Sequence, residues 1–77
     1  MAKRTWTYEE ITEEAESAIR VSMELAKERQ AQCEYDSAAR FRNFAWGKYC
    51  MWDTITAGHQ ESGDAERLEA LTEVQHG

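Results

Sequence analysis

The sequence predicts an all-α protein, a long antiparallel helical hairpin followed by a short C-terminal helix, within one domain over residues 1–77. Three observations support this prediction. The chain has no proline and four glycines, so it lacks the turn residues that an all-β fold with many hairpins needs. Apolar residues recur at helical spacing in two long stretches. A length of 77 residues leaves room for a single core only.

The first helix is expected from about residue 8 to 31. Thr7, followed three residues later by Glu10, is typical of a capping box, in which each side chain accepts a hydrogen bond from the backbone of the other residue. Trp6 before the cap and Ile11 after it are candidates for a hydrophobic staple. An apolar line at spacings of three and four residues predicts the buried face: Ile11, Ala15, Ala18, Ser22 and Leu25, with Tyr8, Ile19 and Ala26 widening it.

The second helix is expected from about residue 37 to 57, with Asp36 or Ser37 as its cap and Gly58 as the left-handed residue after it. The short connection between the helices predicts antiparallel neighbours. One broad apolar face is expected on this helix: Ala38, Phe41, Phe44, Ala45, Tyr49, Met51, Trp52 and Ile55. Because this face is wider than an alanine-rich partner helix covers, we expect a third helix or a second subunit to pack there.

The third helix is expected from about residue 65 to 75, with Asp64 as its cap and Leu68, Leu71 and Val74 as its apolar stripe. A helix of about eleven residues is not stable alone in water, so it must dock, swap to a partner or fray. Domains this small are commonly stabilised by a disulfide, a metal or oligomerisation. No disulfide framework or metal motif is evident, so we expect a homo-oligomer, with a dimer as the first hypothesis.

Charge and motifs exclude several function classes. Nine basic and fifteen acidic residues give a formal net charge of −6, which disfavours direct nucleic-acid binding and suits a basic protein partner. No apolar run is long enough to cross a membrane, and no signal-peptide core follows the first residues. Cys33, Cys50, His59 and His76 lack metal-ligand spacing, and no catalytic motif occurs. We therefore expect a cytoplasmic, non-enzymatic protein without metal, cofactor or membrane partner, and leave a Cys33–Cys50 disulfide open.

Seven residues are candidates for binding a protein or a ligand: Trp6, Tyr8, Arg40, Arg42, Trp46, Lys48 and Tyr49. Trp46 lies outside the apolar face, so it is either covered by a third helix, stacked on Arg42, or exposed as an interface residue. Lys48 falls within the aromatic face, where either its stem is buried with the ammonium at an edge, or it lines a ligand cavity. The first helix also carries an acidic face, either simply solvated or presented to a basic partner: Glu9, Glu13, Glu16, Glu24 and Glu28.

A short, acidic, aromatic-rich chain without an enzymatic motif resembles, in overall type, the small accessory proteins that bacteriophages carry. That resemblance implies a stoichiometric inhibitor or adaptor that blocks a host protein, such as a defence protein, in the bacterial cytoplasm. Two alternatives stay open. One is an oligomeric sponge that sequesters a nucleotide-type small molecule between aromatic and cationic side chains. The other is a structural helical-bundle module of a larger assembly.

Overall fold

Three α-helices follow one another along the chain: α1, Tyr8–Ala31; α2, Tyr35–Ile55; and α3, Asp64–Thr72. The computed structural model describes residues 5–73. Helices α1 and α2 form a long hairpin, and the short α3 contacts both of them. This arrangement confirms the predicted all-α hairpin with a short C-terminal helix. None of the helices in residues 5–73 combines the length and the apolar character needed to span a lipid bilayer.

The start of α1 is the predicted capping box. The backbone N–H of Glu10 donates to the Thr7 hydroxyl oxygen at 3.1 Å, and the backbone N–H of Thr7 donates to the Glu10 carboxylate at 3.2 Å. Two of the backbone donors that a helix start leaves unpaired are satisfied in this way. Trp6 and Ile11, the predicted staple residues, line the same groove beside the cap.

The hairpin is held by two buried stripes whose residues repeat every seven positions. On α1 the stripe is Thr12, Ile19 and Ala26, and on α2 it is Ala38, Ala45 and Trp52. A seven-residue repeat stays on one side of a helix over several turns, so the two stripes face each other along the hairpin. At its open end the Trp52 indole N–H donates to the Thr12 hydroxyl oxygen at 2.9 Å.

The most buried residues of α1 include Ile19 and Ala26, which the sequence predicts only as flanks of the buried line. Ser22 is buried, but Ile11, Ala15, Ala18 and Leu25 are only half-buried. The reason is that α1 packs against both other helices, so its most buried line falls between the side facing α2 and the side facing α3. Ile19 lies on that line and joins Ala45, Trp52 and Leu68 in the core.

The connection from α1 to α2 is a Schellman turn with a cysteine in the position that usually holds glycine. The backbone N–H of Glu34 donates to the Arg29 carbonyl at 2.8 Å, and that of Cys33 donates to the Gln30 carbonyl at 3.0 Å. Cys33 has a φ of 61°, in the left-handed region. The turn reverses the chain within a few residues, and α2 therefore begins immediately after it.

The boundaries of α2 and α3 correct the sequence prediction. Helix α2 begins at Tyr35 after Glu34, which makes no side-chain capping bond, so Asp36 and Ser37 lie inside its first turn and are not caps. It ends at Ile55, and the left-handed Gly58 lies beyond its C-cap Thr56.

Helix α3 begins one residue earlier than predicted. The N-cap is Gly63, with a φ of 88°, and Asp64 is the first helical residue and not the cap. The helix ends at Thr72 within the described residues, and Val74 lies outside them. Leu68 is fully buried and Leu71 is half-buried, so the described part of the predicted apolar stripe is the docking face of α3.

Candidate functional site

Helix α2 presents two different surfaces on either side of its buried stripe. Helix α3 packs on the side of Tyr49, where Ala65 and Leu71 meet the same core cluster. Trp46 and Arg42 lie on that side as well. The opposite side of the hairpin forms a groove that no α3 residue lines, here called the open groove: Trp6, Ile11, Glu14, Ala15, Ala18, Lys48, Met51, Trp52 and Ile55. The aromatic and cationic candidates therefore do not share one surface.

Trp46 is an exposed aromatic residue beside Tyr49. Its side chain is 49% exposed, and its ring centroid lies 5.3 Å from that of Tyr49, which in turn lies 6.1 Å from Trp52. About half of the indole is exposed to solvent, so α3 does not cover Trp46 completely. Arg42 is engaged elsewhere, because its guanidinium donates to the Gln30 side-chain oxygen at 3.0 Å across the hairpin.

The negative charges of three carboxylates act on Tyr49, the neighbour of Trp46. Burial raises the pKa of Tyr49, and the negative charges of Glu69, Asp53 and Glu66 raise it further. These acids come from two helices, α2 and α3, and their charges act on Tyr49, the residue against which the exposed Trp46 packs. We call this surface the Trp46 patch: Trp46, Tyr49, Asp53, Glu66 and Glu69. Its electrostatic potential favours a cation, and its indole offers an aromatic face to that cation.

No pattern in the sequence predicts that acids of α2 and α3 act together on Tyr49. Finding the patch requires knowing on which side of α2 the third helix docks, and the alternation of apolar residues in α3 does not contain that information.

The raised pKa of Tyr49 leads to a testable pH dependence. Because its pKa is higher in the folded than in the unfolded protein, its contribution to stability is complete below about pH 10 and is lost as the pH rises through the folded value. We expect the free energy of urea unfolding to fall above about pH 10, and Tyr49→Phe to reduce that fall. Tyr35→Phe, at a tyrosine that is 61% exposed, is the matched control. An equal change in both variants would contradict the prediction.

Tyr8 has a role inside the fold. Its hydroxyl donates to the Asp64 carboxylate at 2.7 Å and accepts from the backbone N–H of Glu61 at 3.0 Å. Burial and then the Asp64 hydrogen bond raise the pKa of Tyr8. The first residue of α1 therefore holds the loop that leads into α3. These contacts occupy the hydroxyl that a ligand at Tyr8 would use.

Four of the five residues predicted as the acidic face of α1 are exposed, and the fifth forms ion pairs within the fold. Glu9, Glu13, Glu24 and Glu28 are exposed, as a solvated or partner-facing row requires. Glu16 is half-buried, and its carboxylate pairs with Arg67 at 3.1 Å and with Arg20 at 3.8 Å. Because Arg67 belongs to α3, Glu16 helps to dock that helix.

Lys48 lies on the open-groove side. Its ammonium donates to the Ser22 hydroxyl oxygen at 2.9 Å and stands 5.8 Å from the Phe44 ring centroid. The side chain therefore crosses from α2 to α1. Arg40 is exposed beside the hairpin turn, near Cys33, and is separated from both aromatic surfaces.

Comparison with protein-family models, with curated proteins and with solved structures finds no match for this chain. The Trp46 patch and the open groove are therefore the features of this chain that bear on its function. Within residues 5–73 no cluster of three or more histidine, cysteine or acidic side chains is arranged to hold a metal ion. Cys33 and Cys50 are both exposed free thiols.

Proposed function

We propose that this chain is a non-enzymatic protein-binding inhibitor or adaptor, and that it binds a basic protein surface through the Trp46 patch. The observation that supports this best is a half-exposed tryptophan packed against Tyr49, a residue on which the charges of acids from two helices act. Tryptophan is enriched at interface hot spots because it buries a large, rigid surface.

An arginine of the partner suits this patch better than any other side chain. Its planar guanidinium stacks on the Trp46 indole, an interaction worth about 0.5–2 kcal/mol depending on desolvation. Its fork of donors binds a carboxylate such as Glu69 in two parallel hydrogen bonds. The exposed acids of α1, by contrast, act at longer range and increase the association rate with a basic surface.

The overall resemblance to small bacteriophage accessory proteins supports a host protein, such as a defence protein in the bacterial cytoplasm, as the target. The nucleotide sponge receives less support from the geometry of one chain. Tyr49, the neighbour of Trp46, is under the negative charge of three carboxylates, which repel phosphate, and the cations Arg40, Arg42 and Lys48 lie in three separate places. A structural role in a larger assembly is the second alternative, and partner binding by the Trp46→Ala and Tyr35→Ala variants tests it as well.

The direct test compares a Trp46→Ala variant with the wild type. Both proteins, immobilised, are exposed to bacterial lysate and retained proteins are identified, after which affinities for the purified partner are measured by calorimetry. Loss of a hot spot worth about 2 kcal/mol weakens binding about 30-fold. Glu66→Gln combined with Glu69→Gln should also weaken binding, and high salt should slow association.

Tyr35→Ala is the matched control, since Tyr35 is an exposed aromatic residue of the same helix at its other end. Retention of the partner by this variant and its loss from Trp46→Ala would support the proposal. Equal binding by all three proteins, or association rates that do not change with salt, would contradict it.

A further inference from the structure

We propose that the open groove is the interface with a second copy of this chain, in a face-to-face homodimer whose two-fold axis runs along the hairpin. The groove lies on the side of α2 opposite the Trp46 patch. The dimer is therefore a separate property from partner binding, and either proposal can fail alone.

The side chains of α2 on this side are apolar and remain exposed. Phe44 is 48% exposed, Met51 is 62% exposed and Ile55 is 56% exposed. They follow one another at spacings of seven and four residues, so they form a continuous stripe along the helix. A stripe of large apolar side chains beside the half-buried Ile11, Ala15 and Ala18 of α1 is typical of an interface with another protein surface.

Charge complementarity selects a second copy as the occupant. Glu14 lines the groove from α1 and Lys48 lines it from α2, and neither side chain has an ion-pair partner within residues 5–73. A two-fold axis parallel to the helices places α1 of each copy over α2 of the other. Glu14 of each copy then faces Lys48 of the other, and the pair occurs twice, as an isologous interface requires.

The size of the surface is adequate for a dimer. With its 21 residues, α2 is about 31 Å long, and two neighbouring helices are about 20 Å wide. The footprint of the hairpin face is therefore about 600 Å², similar to the roughly 800 Å² that each partner buries in a standard interface. The core of one chain is also small, because only Trp52, Ile19 and Leu68 are large, fully buried side chains among the described residues. Oligomerisation is a common way to stabilise a domain with so small a core.

Sedimentation of the full chain over a wide concentration range provides the first test. We expect the wild type to sediment with twice the 8.9 kDa mass of the chain. Phe44→Glu is expected to abolish the dimer. Trp46→Glu is the matched control, because Trp46 lies two residues away, is 49% exposed against 48% for Phe44, and faces the other side of α2. A wild type that is monomeric at every concentration, or loss of the dimer in Trp46→Glu alone, overturns the proposal.

A charge exchange between two variants tests the symmetry without depending on a single substitution. In Glu14→Lys two lysines meet at each site of the dimer, and in Lys48→Glu two glutamates meet, so each variant alone is expected to be monomeric. An equimolar mixture restores opposite charges at both sites and is expected to sediment as a heterodimer. Circular dichroism verifies that both variants are folded. A mixture that stays monomeric, or single variants that dimerise as the wild type does, overturns the arrangement.

Discussion

Trp52→Ala is expected to lower the free energy of unfolding by about 3–5 kcal/mol, the range for truncating a large buried aromatic residue. The side chain is 1% exposed and lies in the core with Ile19, Ala45 and Leu68. Its removal leaves a cavity at the meeting point of all three helices, and it leaves the buried Thr12 hydroxyl without its donor. Small domains have about 0.05–0.15 kcal/mol of stability per residue, so this loss is a large part of the total.

Two further tryptophan variants identify the cause of this loss in urea unfolding experiments. Trp52→Phe keeps an aromatic ring in the core and removes the hydrogen bond to Thr12, so we expect a smaller loss of about 1–3 kcal/mol. Trp46→Ala truncates a tryptophan that is 49% exposed, and we expect its effect to be well below that of Trp52→Ala. Equal destabilisation by the two tryptophan-to-alanine substitutions would contradict the assignment of Trp52 to the core.

Leu68→Ala is expected to have the second largest effect, about 2–5 kcal/mol, and to act first on α3. Leu68 is the residue of α3 that is completely buried. A helix of nine residues is not stable once it leaves the hairpin. Hydrogen exchange should therefore show lost protection of the α3 amides, while amides of the α1 and α2 stripes keep much of theirs.

The polar contacts of α3 are too weak to hold the helix in place once Leu68 is truncated. Arg67 pairs with Glu16 at 3.1 Å, and Asp64 accepts from the Tyr8 hydroxyl at 2.7 Å. Both contacts are partly exposed, and such pairs contribute little alone. Glu69→Ala, an exposed position one residue later, is the control and should leave protection unchanged. Uniform loss of protection across all three helices in Leu68→Ala would show that α3 does not open as a separate unit.

The sequence predicted those parts of the fold that depend on local chemistry. The capping box of Thr7 and Glu10 depends on residues three positions apart, and it is present as predicted. The predicted start of α2 was wrong by two residues. The turn before α2 uses Cys33 in a left-handed conformation, where glycine is the usual residue. No composition rule signals such a cysteine.

The position of α3 explains the other differences. Because α1 packs against two helices, Thr12 and Ile19 are more buried than Ile11 and Ala15, the centre of the predicted face. The same packing brought Glu66 and Glu69 to the Tyr49 side of α2, which assembled the Trp46 patch. These are tertiary effects of one helix of nine residues. The sequence of that helix leaves docking, swapping and fraying open and does not indicate a docking position.

The placement of the two thiols has a consequence for handling the protein. Cys33 lies in the hairpin turn and Cys50 lies about four helical turns into α2, roughly 22 Å further along the helix axis. A disulfide requires α-carbons about 4.4–6.8 Å apart, so the folded chain cannot close this pair on itself. Each chain therefore carries two thiols that form disulfides only with other chains, as a bifunctional building block does in polymer chemistry. Oxidation therefore joins separate molecules, into linear strings or into closed rings of two or more chains, and never closes a bridge within one folded chain.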